Sequence, residues 1–368
     1  MMAGIPLTVI GGAIALAFGI AAALTGWDAV SSSYAACSVL LAGAVAASIV
    51  WRVGALGTAL IFLSVHAAAF PLMWHLGTAP GDMEYGYWGL LIASWLLAWT
   101  SVSRLTKTAK SLPSGAKKAV GLLIPLIFGL WLMLIWEAIT RGAGVPQVLL
   151  PAPSAIWAKL TTSLPILWAD FVQTFLKAVI AGYVLGCGIG FGTAILVDRS
   201  PFLKRGLVPV GNMVSALPII GIAPIMVMWF GFDWQSKAAV VVIMTFFPML
   251  VNTLEGLSAS SAMQRDLMRT YAASYGQTLW KMRLVEALPF IFNALKINST
   301  LALIGAIVAE FFGTPIVGMG FRISTEVGRM NVDMVWAEIA VAALAGSAFY
   351  GALVLIERAL TFWHPSNR

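Results

Sequence analysis

The sequence predicts an all-α polytopic membrane protein of about ten transmembrane helices. Three observations predict it. Of 368 residues, 60% are hydrophobic and only 10% charged, whereas a soluble domain carries about a quarter charged residues. Polar groups cannot cover such a surface, so lipid is the expected solvent. Ten runs of roughly twenty apolar residues follow one another, the length a helix needs to cross the hydrocarbon core. The basic residues fall on alternate loops, fifteen on one set against four on the other, the asymmetry that orients a chain across a membrane.

The runs lie at approximately 5–25, 34–51, 54–76, 86–103, 119–140, 171–197, 207–230, 237–255, 288–312 and 335–357. The first, "MMAGIPLTVIGGAIALAFGIAAALTG", has no Lys or Arg before it and is long enough to span, so it reads as a retained helix and not a leader. The basic loops hold Arg52, the stretch from Arg104 to Lys118, Arg199 to Arg205, Arg265 to Arg283, and finally Arg358 and Arg368. The opposite loops hold Arg141, Lys159, Arg322 and Arg329. Both termini therefore belong on the cytoplasmic side. The net charge of +7 follows from this bias. It forms no clustered face on a soluble domain, which nucleic-acid binding would need.

"RLTKTAKSLPSGAKK", 104–118, is basic, contains Pro and Gly and has no acid. It reads either as a cytoplasmic linker between an N-terminal extension of four spans (1–103) and six C-terminal spans (119–368), or as an ordinary inter-helix loop. In the run 171–197, Gly182, Gly186 and Gly190 recur every four residues. The G-x-G-x-G string lacks the strand-then-helix setting of a nucleotide fingerprint and reads as a smooth stripe for close helix packing. The run 207–230 carries Pro209, Pro218 and Pro224. Interior prolines free carbonyls, and a membrane tolerates that only where protein or a wet cavity satisfies them. This helix, with Ser215 and Pro218, is a candidate pathway wall or a kinked structural helix. Asn298 and Thr300 fall near mid-depth of the run 288–312, where polar groups line a route or bond a neighbouring helix. Glu310 and Glu338 sit near the outer ends of their helices, as functional acids or as groups that reach water.

Several chemistries find no residues to carry them. Cys37 and Cys187 lie inside apolar runs and read as packing residues. The three histidines are scattered, and neither HExxH nor G-x-x-x-x-G-K-[ST] occurs. No nucleophile, base and acid set is apparent. The expectation is a membrane protein with no catalytic residue, no metal site and no nucleotide site of its own.

Between two apolar runs, about 258–287, lies a polar cytoplasmic stretch containing "TYAASYGQTLWKMRLVEALP", Thr270 to Pro289. Leu267, Tyr271, Tyr275 and Leu279 recur every four residues, which predicts one helical face held by the bundle. Ala272 and Gly276, with Ala273 beside them, form a small-residue patch on an adjacent face. The stretch is expected to be a short helix along the membrane that offers this patch to a partner, or else a helical loop with none.

The stretch resembles the cytoplasmic EAA loop of binding-protein-dependent ABC importer permeases. Thr270, Tyr271 and Ala272 stand where Glu-Ala-Ala would be, Gly276 falls on the motif glycine, and Leu288 and Pro289 on its Leu-Pro. Thr270 replaces the acid, Tyr271 the first alanine, and Glu286 the isoleucine. "LLPAPSAIWAKL" (149–160), "SALPIIGIAPIMVMWFG" (215–231), "SKAAVVVIMTFFPMLVNTLEGL" (236–257) and "AEFFG" (309–313) resemble the nitrate/sulfonate/taurine branch. The likeness covers about 119–358, and residues 1–103 lie outside it. It implies a six-helix type I permease core preceded by four extra helices, in a bacterial inner membrane. It implies a partner pair of cytoplasmic ABC ATPase subunits, which carry the ATP and Mg that this chain does not. It also implies an external substrate-binding protein and a second permease copy, a homodimer. The ATPase would be contacted by Thr270, Tyr271, Ala272, Ala273, Ser274, Tyr275 and Gly276, with Leu288 and Pro289 closing the motif. The solute would be small and polar: a sulfonate, taurine, nitrate or a pyrimidine-like compound. The rival expectations are an ion-coupled secondary transporter or channel without an ATPase, and a membrane-embedded enzyme or scaffold.

Overall fold

The computed structural model describes residues 7–25, 32–50, 55–78, 81, 83–110, 113–200, 202–203, 205–207, 209, 218–313 and 316–363. Those residues form helices joined by turns, with no strand among them. Seven stretches are long and apolar enough to cross a membrane: Ser33–Val50, Leu56–Gly77, Ser114–Gly142, Leu164–Asp198, Trp234–Ser258, Tyr275–Glu310 and Val332–Leu360. Each of the ten predicted runs coincides wholly or partly with a helix. The chain divides into two compact units, Met1–Ala155 and Ile156–Arg368.

The first unit contains α1 (Leu7–Thr25), α2 (Ser32–Val50), α3 (Ala55–Thr78), α4 (Tyr85–Ala109) and α5 (Ser114–Gly142). Helix α1 lies close against α4 because two of its glycines face that helix. A Cβ at Gly12 would sit 2.9 Å from Leu97, and one at Gly19 would sit 2.9 Å from the backbone of Leu90. Leu41, Ile61, Leu72, Tyr87, Leu90 and Leu97 fill the centre of this unit. Arg104 reaches across to the Ser48 carbonyl at 2.9 Å. Residues 104–109 continue α4 and 114–118 begin α5, so most of the basic stretch read as a linker is helix. Helix α5, counted above with the six C-terminal spans, clusters with the four helices before it. The loop after α3 holds it, with Gly81 and Met83 donating to the carbonyls of Arg141 and Gly142.

The second unit begins within α6 (Pro153–Thr162). Next, α7 (Leu164–Phe171) runs through a wide π-helical stretch, Val172–Val179, into α8 (Ile180–Asp198). Then come α9 (Ile219–Phe230), α10 (Trp234–Ser258), α11 (Ala262–Thr270), α12 (Tyr275–Thr278), a second π stretch (Leu279–Arg283) and α13 (Leu284–Glu310). Helices α14 (Met319–Gly328) and α15 (Val332–Leu360) complete it. Helices α8 and α13 pack on α10, which is the spine of the unit.

The glycine stripe behaves as its spacing predicts. Added Cβ atoms at Gly182, Gly186 and Gly190 would collide with α10, whereas Gly188 and Gly192 face open space. Among the described residues of the proline-rich run, Ile219–Phe230 is a continuous helix, with Pro218 as its N-cap and Pro224 inside it. An N-terminal proline costs a helix nothing, since its N–H would be unpaired anyway. Ser215 lies outside the described residues.

Candidate functional site

The polar stretch at 258–287 is not one helix. Ser261 caps α11: its hydroxyl accepts from Gln264 N, and the Gln264 side chain accepts from Ser261 N. The helix then stops at Thr270. The Ala272 amide donates to the Arg269 carbonyl at 2.9 Å and the Ala273 amide to the Met268 carbonyl at 3.0 Å, the paired bonds of a Schellman stop. Such a stop needs a left-handed residue, and Ala272 supplies it at φ 47°. The position is usually glycine, so no residue type marked the break. Ser274 and Gln277 form a second capping box, which starts α12.

This break overturns the single-face prediction. Leu267 and Tyr271 precede the turn, and Tyr275 and Leu279 follow it, so the four do not share one stripe. Leu279 alone is buried; Leu267 is 55% exposed and Tyr271 76% exposed. The bulky side chains are displayed outward with the small ones. Thr270, Tyr271, Ala272, Ser274, Tyr275 and Gly276 are exposed and Ala273 is half-buried. A Cβ at Gly276 would meet no described atom within 4 Å. Leu288 and Pro289 stand apart from the turn, half-buried in the early turns of α13.

The turn is tied to the unit at few points. Gln264 donates to the Glu286 carboxylate, linking α11 to α13. Arg283 makes a two-pronged pair with Asp198 at 2.7 and 2.8 Å and also donates to the Leu257 carbonyl at 2.8 and 3.0 Å. The Tyr275 hydroxyl donates to Asp198 at 2.9 Å.

The described pathway candidates differ in their surroundings. Asn298 is fully buried, donating to the Thr245 carbonyl at 2.8 Å and to Cys187 Sγ at 3.2 Å, so it bonds α13 to α10 and α8. Thr300 is exposed and bonds its own helix at Ile297. Pro218 is exposed at the start of α9.

A second polar cluster lies at the far end of α13, and the sequence signalled only two of its members. Asp170 accepts from Gly318 N at 2.6 Å and from Arg322 at 2.8 Å. Thr174 donates to Glu310 and accepts from Met319 N, and Glu310 accepts from Gly320 N at 2.7 Å. Three N–H groups at the start of α14, which a helix leaves unpaired, are thus satisfied by α7, the first π stretch and α13. Glu310 and Glu338, expected to function or to reach water, are 2% and 0% exposed. Glu310 is part of this seat, and Glu338 lies beside Asp170. At the same end, a hydrogen bond from Gln173 and one from Trp234 N hold the Asp233 carboxyl below the usual range.

A protein family described as binding-protein-dependent transport system inner membrane component matches residues 182–362. The chain is 31% identical over 251 residues to the formylaminopyrimidine transport permease protein of Halalkalibacterium halodurans, covering 68% of this chain and all of that one. It is 30% identical over 273 residues to the riboflavin transport system permease protein of Chloroflexus aurantiacus, covering 72% and 98%. It is 29% identical over 249 residues to the putative aliphatic sulfonates transport permease protein of Bacillus subtilis, covering 67% and 88%.

Proposed function

The chain belongs to the family of binding-protein-dependent inner-membrane transport components, the permease subunits of ABC transporters, and from that premise we propose that it is the membrane subunit of an ATP-driven importer. It receives a small polar solute from an external binding protein and passes it across a bacterial inner membrane by alternating access, with both termini in the cytoplasm. Two copies pair, and two ABC ATPase subunits dock beneath them. ATP and Mg are held by those subunits. Nucleotide binding and release bias the bundle between two states through their differential contacts.

One observation carries this reading. The turn 270–276 is a pre-shaped projection, fixed on one side by the Schellman stop that ends α11 and on the other by the Ser274–Gln277 capping box, with all of its side chains but Ala273 exposed. A chain has no reason of its own to display Tyr271 and Leu267 to water; a partner that covers them supplies one. Thr270 through Gly276 are the proposed contact, with Leu288 and Pro289 holding the helix behind it. Pro218 and Thr300 are exposed within one chain and available to line a route between two copies, beside Ser215. Asn298 supports that wall from behind. The solute stays within the chemistry that the relatives' names span, a sulfonate or a pyrimidine-like or larger heterocycle.

The test is a pull-down of the tagged chain in mild detergent from its native cell, beside Gly276→Trp. A Cβ at Gly276 meets no described atom within 4 Å, so the substitution begins without a backbone clash. A co-purifying Walker-bearing ATPase that is lost in the variant is the expected result. A stable chain that brings no ATPase would shift the reading to an ion-coupled secondary transporter or channel.

A further inference from the structure

The coupling turn alone does not explain how its movement would reach the bundle. Residues 270–276 are almost wholly exposed. The backbone continues from the turn into α13, so a pull on the turn draws on that helix directly. Helix α10 is joined to it through α11, but α8 has no such covalent link. The ends of α8 and α10 both reach the guanidinium of Arg283, and α8 also meets Tyr275 of the turn.

That guanidinium joins three elements. It rises from the π stretch just before α13. Two of its nitrogens grip Asp198, the last residue of α8. It also caps the Leu257 carbonyl in the last turn of α10. Helix C-termini carry unpaired carbonyls and a partial negative charge, and a forked cation satisfies both. The pair is well covered, with side-chain exposures of 16% and 5%, so it is not the weak, screened kind of surface contact. Tyr275, inside the exposed turn, adds its hydroxyl to the same carboxylate, and the Arg199 guanidinium lies over its ring at 5.3 Å. Asp198 is therefore bonded to the turn and to the root of α13 at once.

We propose that Asp198 and Arg283 form a positioning clasp that couples the docking turn to α8 and α10. The clasp rests on the reading that an ATPase docks at 270–276. Asp198 and Arg283 do not themselves touch the partner. When the turn is pushed or pulled, α13 moves by its backbone, and the clasp carries the ends of α8 and α10 with it. The glycine stripe makes α8 and α10 one rigid pair, so gripping both at one end moves the pair. Arginine is required in this role, because lysine cannot grip a carboxylate with a fork and cap a carbonyl together.

Two spin labels test the clasp, and both native cysteines are buried, leaving the introduced sites free to react. A label at Tyr271→Cys reads the mobility of the turn in the purified chain without any partner. A label at Val327→Cys on α14 reads the far end of α13, about 40 Å away for its 27 residues, in the complex trapped with ATP and vanadate. Asp198→Asn and Arg283→Lys are expected to free the label at 271. They should keep the ATPase in wild-type amounts and reduce the nucleotide response at 327 by about ten-fold, within the usual span of coupling energies. Asp198→Glu, which keeps a carboxylate for Arg283, should give a smaller loss and serves as the milder variant should the others misfold. An immobile label at 271 in these variants, or an intact response at 327, overturns the clasp. Loss of the ATPase itself would make these residues part of docking and equally overturn it. If the wild-type chain brings no ATPase, the importer reading fails, while the label at 271 still decides whether the clasp holds the turn.

Discussion

Replacing Gly190 by alanine adds one methyl group where α8 meets α10 with no room for it. The new Cβ would sit 2.6 Å from the Phe246 carbonyl oxygen and 3.0 Å from Met249 Cβ. The nearest obstacle is backbone, which cannot rotate aside. An ordinary carbon–oxygen contact is about 3.3 Å, so the helices must part by about 0.7 Å. A gap of that size forfeits roughly a quarter to a half of each contact along the seam, and overpacking of this kind costs about 1–3 kcal/mol. Gly188 and Gly192 lie on the same helix with nothing within 4 Å among the described residues. Alanine there gains up to about 1 kcal/mol from helix propensity. That gain is common to all four positions, so the two classes should differ by the overpacking alone, about 1–3 kcal/mol, or roughly 2–12 °C in the thermal midpoint of a unit this size. The assay is loss of the monodisperse peak on heating in detergent, for Gly182→Ala and Gly190→Ala against Gly188→Ala and Gly192→Ala. Equal midpoints for the two classes would refute the packing argument.

Two further outcomes follow from the described geometry. Ala272→Gly should slow exchange of the amides at 270–274, because a left-handed alanine costs roughly 1–2 kcal/mol; Ala272→Val should speed it, and identical exchange would deny the Schellman stop. Thr174→Val leaves Met319 N unpaired and takes from Glu310 one of its two bonds, a loss of about 1–3 kcal/mol per unpaired group, and Gly318→Ala drives a Cβ to 2.7 Å from the Glu310 carboxylate. Both should expose α14 to limited proteolysis at Arg322 while the rest of the chain stays intact.

Much of this fold is written in periodicity. Lipid as solvent demands long apolar helices, and each predicted run meets one. The glycines at 182, 186 and 190 announced a close helix contact because spacing of four survives in any straight helix. What escaped the sequence depended on single residues acting against their usual habits. Ala272 ends a helix where glycine would have signalled the stop, so the Tyr271–Tyr275 spacing suggested a stripe that the chain never forms. Asp170 and Thr174 looked like minor polar interruptions of an apolar run. Their partners lie some 145 positions away, at Met319 and Gly318, and no local pattern connects them. The role of Asn298 was open between route and glue, and only the positions of Thr245 and Cys187 assign its amide to helix packing.

The two polar clusters of the second unit occupy opposite ends of α13, and both serve to hold something outside the bundle. At one end Arg283 and Asp198 hold the turn; at the other Asp170, Thr174 and Glu310 hold the start of α14. Burying such groups is costly unless every one is paired, and a purely structural bundle could have used apolar contacts instead. Charged, directional contacts do what apolar ones cannot: they fix register, and they release as a unit when geometry changes. A transport subunit that must move between two packed states needs such joints where its moving parts attach. Between them, α13 is anchored by Asn298 and closely packed on α10, which suits a rod that transmits displacement along its axis. The cytoplasmic turn and the seat of α14 are therefore the places where a nucleotide-driven movement would enter the second unit and emerge from it.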